Sequence, residues 1–152
     1  MKQVEIWTDG SCSGNPGLGG WAAILRFAAR EREISGQESH TTNNRMELMA
    51  AIRGLEALSE RCEVSLHTDS AYLINAFEQQ WIAGWLKRGW ITTVRQPVVN
   101  RDLWEQLIGL IGHPGLEPGL HQVSFVKVAG HAGVALNERC DRLALAARDR
   151  QR

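Results

Sequence analysis

The sequence predicts an α/β fold, a single domain over residues 1–152 built on a mixed five-stranded sheet. Three observations predict it. Up to Gly36, short apolar and β-branched runs alternate with links too short to hold a helix, which makes antiparallel neighbours. From Thr41 onward, apolar residues recur at helical spacing. Two further strand-like runs lie among those helices, and a strand–helix–strand succession needs a crossover that leaves its strands parallel.

Val4 to Asp9 is the first strand, expected to end abruptly at Gly10 because a glycine cluster follows (Gly10, Gly14, Gly17, Gly19 and Gly20, with Pro16). Trp21 to Phe27 is a nearly unbroken apolar run, a strand buried on both faces. Glu31 to Gly36 is more polar and reads as an edge strand. Thr41-Thr42-Asn43-Asn44 caps a helix running to about Leu58, with Leu48, Ile52 and Leu55 as its buried stripe and Met49 beside them. Val64 to Thr68 is a fourth strand, parallel to an earlier one. Ser70 caps a helix over about Ala71 to Phe77, and Gln80 to Arg88 is another. Gly89 to Val99 is a loop. Asn100 opens a helix to about Ile111, lined by Trp104, Leu107 and Leu110. His113 to Leu120 is a connector and Val123 to Val128 the fifth strand. Leu136, Cys140, Leu143 and Ala147 mark a last helix that frays from Arg148.

Hydrophobic residues make up 43% of the chain and charged residues 22%, the balance of a globular domain. No apolar run is long enough to span a membrane, and no secretory signal precedes the first strand. Three widely spaced cysteines fit free thiols in a reducing cytoplasm, with Cys140 a core residue. Net charge is zero, yet Gln79 to Trp104 carries a net +3, a local basic patch on a neutral protein.

Four carboxylates are brought toward one place. Asp9 and Asp69 close two strands, each after a threonine. If those strands are parallel neighbours, the acids end side by side, at the sheet end where α/β folds gather ligands. Glu47 lies one turn into the first helix, near the same end of the sheet. Asp141 shares a face of the last helix with Asn137. Crowded carboxylates repel unless a cation sits among them, and oxygen-only donors suit magnesium, with manganese able to substitute. Two such ions can clamp the attacking and leaving oxygens of a phosphoryl transfer.

Five ordered motifs, Thr8-Asp9-Gly10-Ser11-Cys12-Ser13-Gly14-Asn15-Pro16-Gly17, Thr42-Asn43-Asn44-Arg45-Met46-Glu47-Leu48, Thr68-Asp69-Ser70, Gly130-His131-Ala132-Gly133 and Asn137-Glu138-Arg139-Cys140-Asp141, closely resemble bacterial ribonuclease H type 1. The resemblance covers residues 3 to 147. It implies the ribonuclease H fold: three antiparallel strands and two parallel ones, with helices on both faces. It implies endonucleolytic cleavage of the RNA strand of RNA–DNA hybrids, leaving 3′-hydroxyl and 5′-phosphate ends, by a cytoplasmic monomer using two magnesium ions. Asp9, Glu47, Asp69 and Asp141 would be the metal-binding catalytic acids, and His131 would assist proton movement or product release. Asn15, Asn43 and Asn44 would contact the hybrid's minor groove, where an amide can both donate to and accept from a 2′-hydroxyl. Cys12 would lie beside the DNA strand. Thr42 and Asn100, with His40, would hold a DNA phosphate. Trp81, Trp85, Lys87 and Arg88 would belong to a basic protrusion over about residues 80–99, where aromatic faces and cations meet nucleic acid, with Trp85 more a packing residue.

The chain departs from the family pattern in three places. His40 stands where many relatives place an arginine, Ala71 replaces a common glutamine, and Leu86, Val94, Val98 and Val99 occupy protrusion positions often kept polar. Weaker, more salt-sensitive hybrid binding is the expected consequence, with low processivity in the absence of a separate amino-terminal hybrid-binding domain. Two other readings stay open: a module that binds hybrids without cutting them, and another nuclease of the same fold such as a resolvase.

Overall fold

A computed structural model describes residues 1–113, 117–128 and 135–151. Five strands form the main sheet: β1 (Lys2–Gly14), β2 (Gly17–Phe27), β3 (Arg30–Thr41), β4 (Cys62–Thr68) and, later in the chain, β7 (Gln122–Lys127). Their order is β3-β2-β1-β4-β7. The first three are joined antiparallel, and β1/β4 and β4/β7 are parallel. The helices are α1 (Asn43–Glu56), α2 (Ala71–Glu78), α3 (Trp81–Lys87), α4 (Arg101–Ile111) and α5 (Ala135–Asp149). Between α4 and β7 the expected connector holds a small hairpin of β5 (Gly112–His113) and β6 (Glu117–Pro118). Two residues per strand are too few for an alternation to show in the sequence.

Side chains on β1 and β2 alternate between two cores. Val4, Ile6, Ala23 and Leu25 pack with Leu48, Ile52 and Leu55 of α1 and with Leu103, Trp104 and Leu107 of α4. Trp7, Ala22 and Ile24 face the other way, onto Cys140 and Ala144 of α5. The apolar run of β2 is thus buried on both faces, as its composition predicts.

The glycine cluster does not end β1. The strand continues through Gly10 to Gly14, pairs with β2 down to Gly14↔Gly17, and turns at Asn15-Pro16. β3 likewise extends past Gly36 to Thr41. Gly10, Gly19 and Gly20 serve close approach, whereas Gly14, with φ +88°, leads into the chain reversal. A Cβ on Gly20 would lie 2.2 Å from the Ala144 carbonyl oxygen, so its absence lets α5 lie directly on the sheet. The end of α5 does not fray at Arg148 either. The helix runs to Asp149, and Gln151 Nε2 donates to the carbonyls of Gly19 and Glu38, both at 3.0 Å. Those residues flank the irregularity where β2 and β3 lose register.

Candidate active site

Asp9 sits in mid-strand, but at the point where β1 parts from β4. The parallel ladder runs up to Trp7↔His67. Two residues beyond each partner stand Asp9 and Asp69, so the two carboxylates share one level on one face of the sheet. Asp69 follows directly on Thr68, which ends β4. The Thr68 hydroxyl accepts from the Ser70 amide at 3.0 Å, and the Ser70 hydroxyl then caps α2 by accepting from the Leu73 amide at 3.1 Å. Asp69 is held between those two turns.

Glu47 reaches the same place from α1. Thr42 is the N-cap, its hydroxyl accepting from the Arg45 amide at 3.2 Å. The first turns of α1 lie on Gly10, where any side chain would strike the Glu47 amide. Glu47 is buried, not solvated, and shares with Asp9 and Asp69 a set of carboxylate oxygens all within 4.8 Å of one another. Asp141 comes from α5 and lines the same open pocket of about 400 Å³, beside Asn43, Asn44 and Tyr72.

Burial raises the Asp9 carboxyl to about 7, helped by the adjacent Asp141 and by the charge of Asp69. Burial likewise lifts Glu47 well above the usual carboxylate range, with the charges of Asp9 and Asp69 adding to it. Glu47 Oε2 is buried and has no hydrogen-bond partner among the described residues. An orphaned carboxylate oxygen facing two more carboxylates is an all-oxygen donor set wanting positive charge, and it fits a hard divalent cation. Cys140, beneath, is no nucleophile: its Sγ–H donates to the carbonyls of Trp7 (3.4 Å) and Ala22 (3.3 Å), and burial drives its thiol far up.

Of the predicted substrate residues, Asn43 and Asn44 line the pocket. Asn15 Oδ1 accepts from the Asn43 amide at 3.2 Å, joining the β1–β2 turn to α1, and Cys12 Sγ donates to the Thr41 carbonyl at 3.3 Å. Asn43 and Asn44 are exposed at the pocket, and His40 is exposed near the end of β3. Asn100 joins Thr42 through Arg45: Arg45 donates its amide to Thr42 and Nη1 to Asn100 Oδ1 at 3.1 Å. Trp85 stands within an aromatic cluster, 5.5 Å from the Trp104 ring and 6.1 Å from Trp90, whereas Trp81 is half-buried at its margin, 6.4 Å from both Tyr72 and Trp85. Lys87 and Arg88 are exposed. His131 lies outside the described residues. The sequence reading missed Arg45 and Tyr72. Both stand inside or beside the motifs, but what ties them together is α4, far away in the chain.

The family model for RNase H matches residues 1–149. The chain belongs to the ribonuclease H family. It is 52% identical over 147 residues to a ribonuclease H of Symbiobacterium thermophilum, covering 97% of this chain and 95% of that one. It is 55% identical over 144 residues to one of Nitratidesulfovibrio vulgaris, covering 95% and 88%. Among solved structures it resembles LC9-RNase H1, a type 1 RNase H with the type 2 active-site motif, at 30% identity and a TM-score of 0.79, over 99% of this chain and 74% of that one. The likeness to bacterial ribonuclease H type 1 drawn from the motifs is borne out, as are the five-stranded mixed sheet and the assignment to the nuclease hydrolases.

Proposed function

We propose that this ribonuclease H hydrolyses the RNA strand of RNA–DNA hybrids, leaving 3′-hydroxyl and 5′-phosphate ends. The observation that carries the reading is the meeting of Asp9, Glu47 and Asp69 within 4.8 Å, with Asp141 on the same pocket and Asn43 and Asn44 on its rim. The four acids would hold two magnesium ions, with manganese able to replace them. Bound there, the metal supplies an activated water and charge stabilisation for the leaving oxygen. The acids fix where positive charge sits. Thr68 and Ser70 hold Asp69 in place, and the Gly10 amide, donating to Asp9 Oδ1 at 2.9 Å, fixes one oxygen of Asp9. Asn15, Asn43 and Asn44 would read the 2′-hydroxyls, placing an RNA phosphate over the acids. His131 is assigned the proton or product-release role on its motif. No helix among the described residues is long and apolar enough to cross a membrane. We place the protein in the cytoplasm as a monomer.

The test is a labelled hybrid incubated with the purified chain in magnesium and in chelator, beside double-stranded RNA and DNA. Magnesium-dependent cutting confined to the RNA strand of the hybrid is the expected result. Tight binding without cutting would replace this reading with that of a binding module. Cutting of branched DNA with the hybrid left whole would replace it with a resolvase.

The stretch 80–99 would hold the DNA strand, and its cations are not equal. Arg101, just beyond it, pairs with Glu105 at 3.0 Å and lies 5.1 Å over the Trp90 ring. Arg88 Nε donates to the Ile91 carbonyl at 2.9 Å. Lys87 and Arg95 are exposed and pair with no carboxylate among the described residues. Removing one cation from a phosphate should flatten the log–log dependence of hybrid affinity on salt by about one. A Lys87→Ala, Arg95→Ala double variant should therefore lose about two from that slope, and Arg101→Ala little. Equal slopes for all three proteins would remove Lys87 and Arg95 from the hybrid-binding surface.

A further inference from the structure

We propose that Arg45 is a positioning residue that locks the stretch 80–99 in place relative to the carboxylate pocket, so that one hybrid engages both. The proposal rests on the hybrid-cleaving reading above.

Arg45 lies in the first turn of α1, between the asparagines of the rim and Glu47. Its backbone belongs to that turn, donating to Thr42. Its side chain leaves α1 and crosses to the start of α4. There Nη1 donates to Asp102 Oδ1 at 3.0 Å and to Asn100 Oδ1 at 3.1 Å, and Nη2 donates to Asp102 Oδ2 at 2.8 Å. Two parallel bonds from a planar guanidinium to one carboxylate fix orientation as well as distance. Asn100 extends the net: its Nδ2 donates to the Tyr72 hydroxyl at 3.2 Å, which also accepts from Trp104 Nε1 at 3.2 Å. Arginine has no acceptor, so the Asn100 amide can face only one way, oxygen to Arg45 and nitrogen to Tyr72. Tyr72 stands three residues after Asp69, in the first turn of α2, and lines the carboxylate pocket.

The starts of α1, α2 and α4 are thus bonded into one unit beside the acids. Residues 80–99 run from the end of α2 to the start of α4, so Asn100 and Asp102 are where that stretch rejoins the body of the molecule. Arg45–Asp102 is the sole ion pair between α1 and α4 among the described residues. The Asp102 side chain is 59% exposed, and such a pair contributes little to stability. What it supplies is geometry. A substrate gripped at two places gains from both only if their spacing is held.

Arg45→Ala, Arg45→Lys and the charge swap Arg45→Asp with Asp102→Arg should be assayed on two hybrids. One runs from the pocket to the stretch 80–99 and the other is confined to the pocket. On the long hybrid, Arg45→Ala should raise KM about tenfold with kcat within about twofold, while the short hybrid and the melting temperature change little. Arg45→Lys, a point charge without the fork, should fall between, and the swap should recover most of the loss. Equal KM rises on both hybrids would overturn the proposal, as would a lysine variant indistinguishable from the parent. If the swap does not fold, the lysine comparison decides. If the unmodified chain cuts neither hybrid, the underlying reading fails. Dissociation constants for the same hybrids in chelator then judge Arg45 on the same ratios.

Discussion

Asp9→Asn should abolish cleavage and at the same time stabilise the metal-free protein above neutral pH. In the folded chain burial, with Asp141 and Asp69 close by, raises the Asp9 carboxyl from 3.8 to about 7. Between those values the folded state keeps a proton that the unfolded chain has released. Stability therefore falls as pH rises through this window, and the loss is complete above it. A shift of this size corresponds to roughly 2–4 kcal/mol at pH 8, shared with Glu47. Asparagine keeps the shape and removes the charge. In chelator at pH 8 the variant should melt about 5 °C or more above the parent, and near pH 4 the gap should close. A divalent cation should close it too, by raising the parent more than the variant. The rate should drop by about three orders of magnitude or more, since a central ligand to the ion is gone. Thermal unfolding in chelator across pH, with and without magnesium, reads all of this. A variant that melts below its parent at pH 8 would mean that Asp9 is not under electrostatic strain.

Much of this site can be read in the sequence, because its parts sit at places that local rules mark. A threonine before each sheet aspartate, a Thr-Asn-Asn cap before Glu47 and the helical spacing of Asn137 and Asp141 assign each acid to its element, although β1 runs on past Asp9 and Asp141 lies mid-helix. Parallel pairing of β1 with β4 then does the gathering. Burial of Glu47 could not be read there. On its own helix face the turn before it is Asn43 and Asn44, both exposed, and it goes under only because Gly10 lets α1 come down on β1. The glycine cluster misleads for the same reason. Local chemistry reads glycines as turns, whereas Gly10, Gly19 and Gly20 are strand residues under a helix or another side chain. Arg45, Asn100 and Tyr72 meet across 55 and 28 positions of chain, and nothing local pairs them. The parts of the site that come from one element are legible, and those made by two elements meeting are not.

Gly10→Ala puts that distinction to a direct test, and it should be costly. A methyl group at this position would lie 2.5 Å from the Glu47 amide nitrogen and 2.6 Å from the Met46 carbonyl carbon. Both are backbone atoms of a capped helix whose far side is packed in the core, so neither can swing aside as a flexible side chain would. α1 must lift at its first turns or β1 must bend, and either change carries Glu47 away from Asp9 and Asn43 away from Asn15. Overpacking of this kind costs about 3 kcal/mol, and a displacement of about 1 Å at the acids can cost a hundredfold in rate. Gly109→Ala is the matching control. It lies exposed on α4 with nothing within 4 Å of the added carbon, so relief of helix entropy should stabilise the protein by about 0.5–1 kcal/mol and leave the rate unchanged. Urea unfolding and hybrid cleavage measured on both variants would separate a loss of stability from a displaced site. If magnesium restored the melting temperature of Gly10→Ala while the rate stayed low, the acids would still gather around an ion, and the defect would lie in how the asparagine rim presents the substrate. A Gly10→Ala protein as stable and as active as its parent would mean that the close approach of α1 to β1 does not set the position of Glu47.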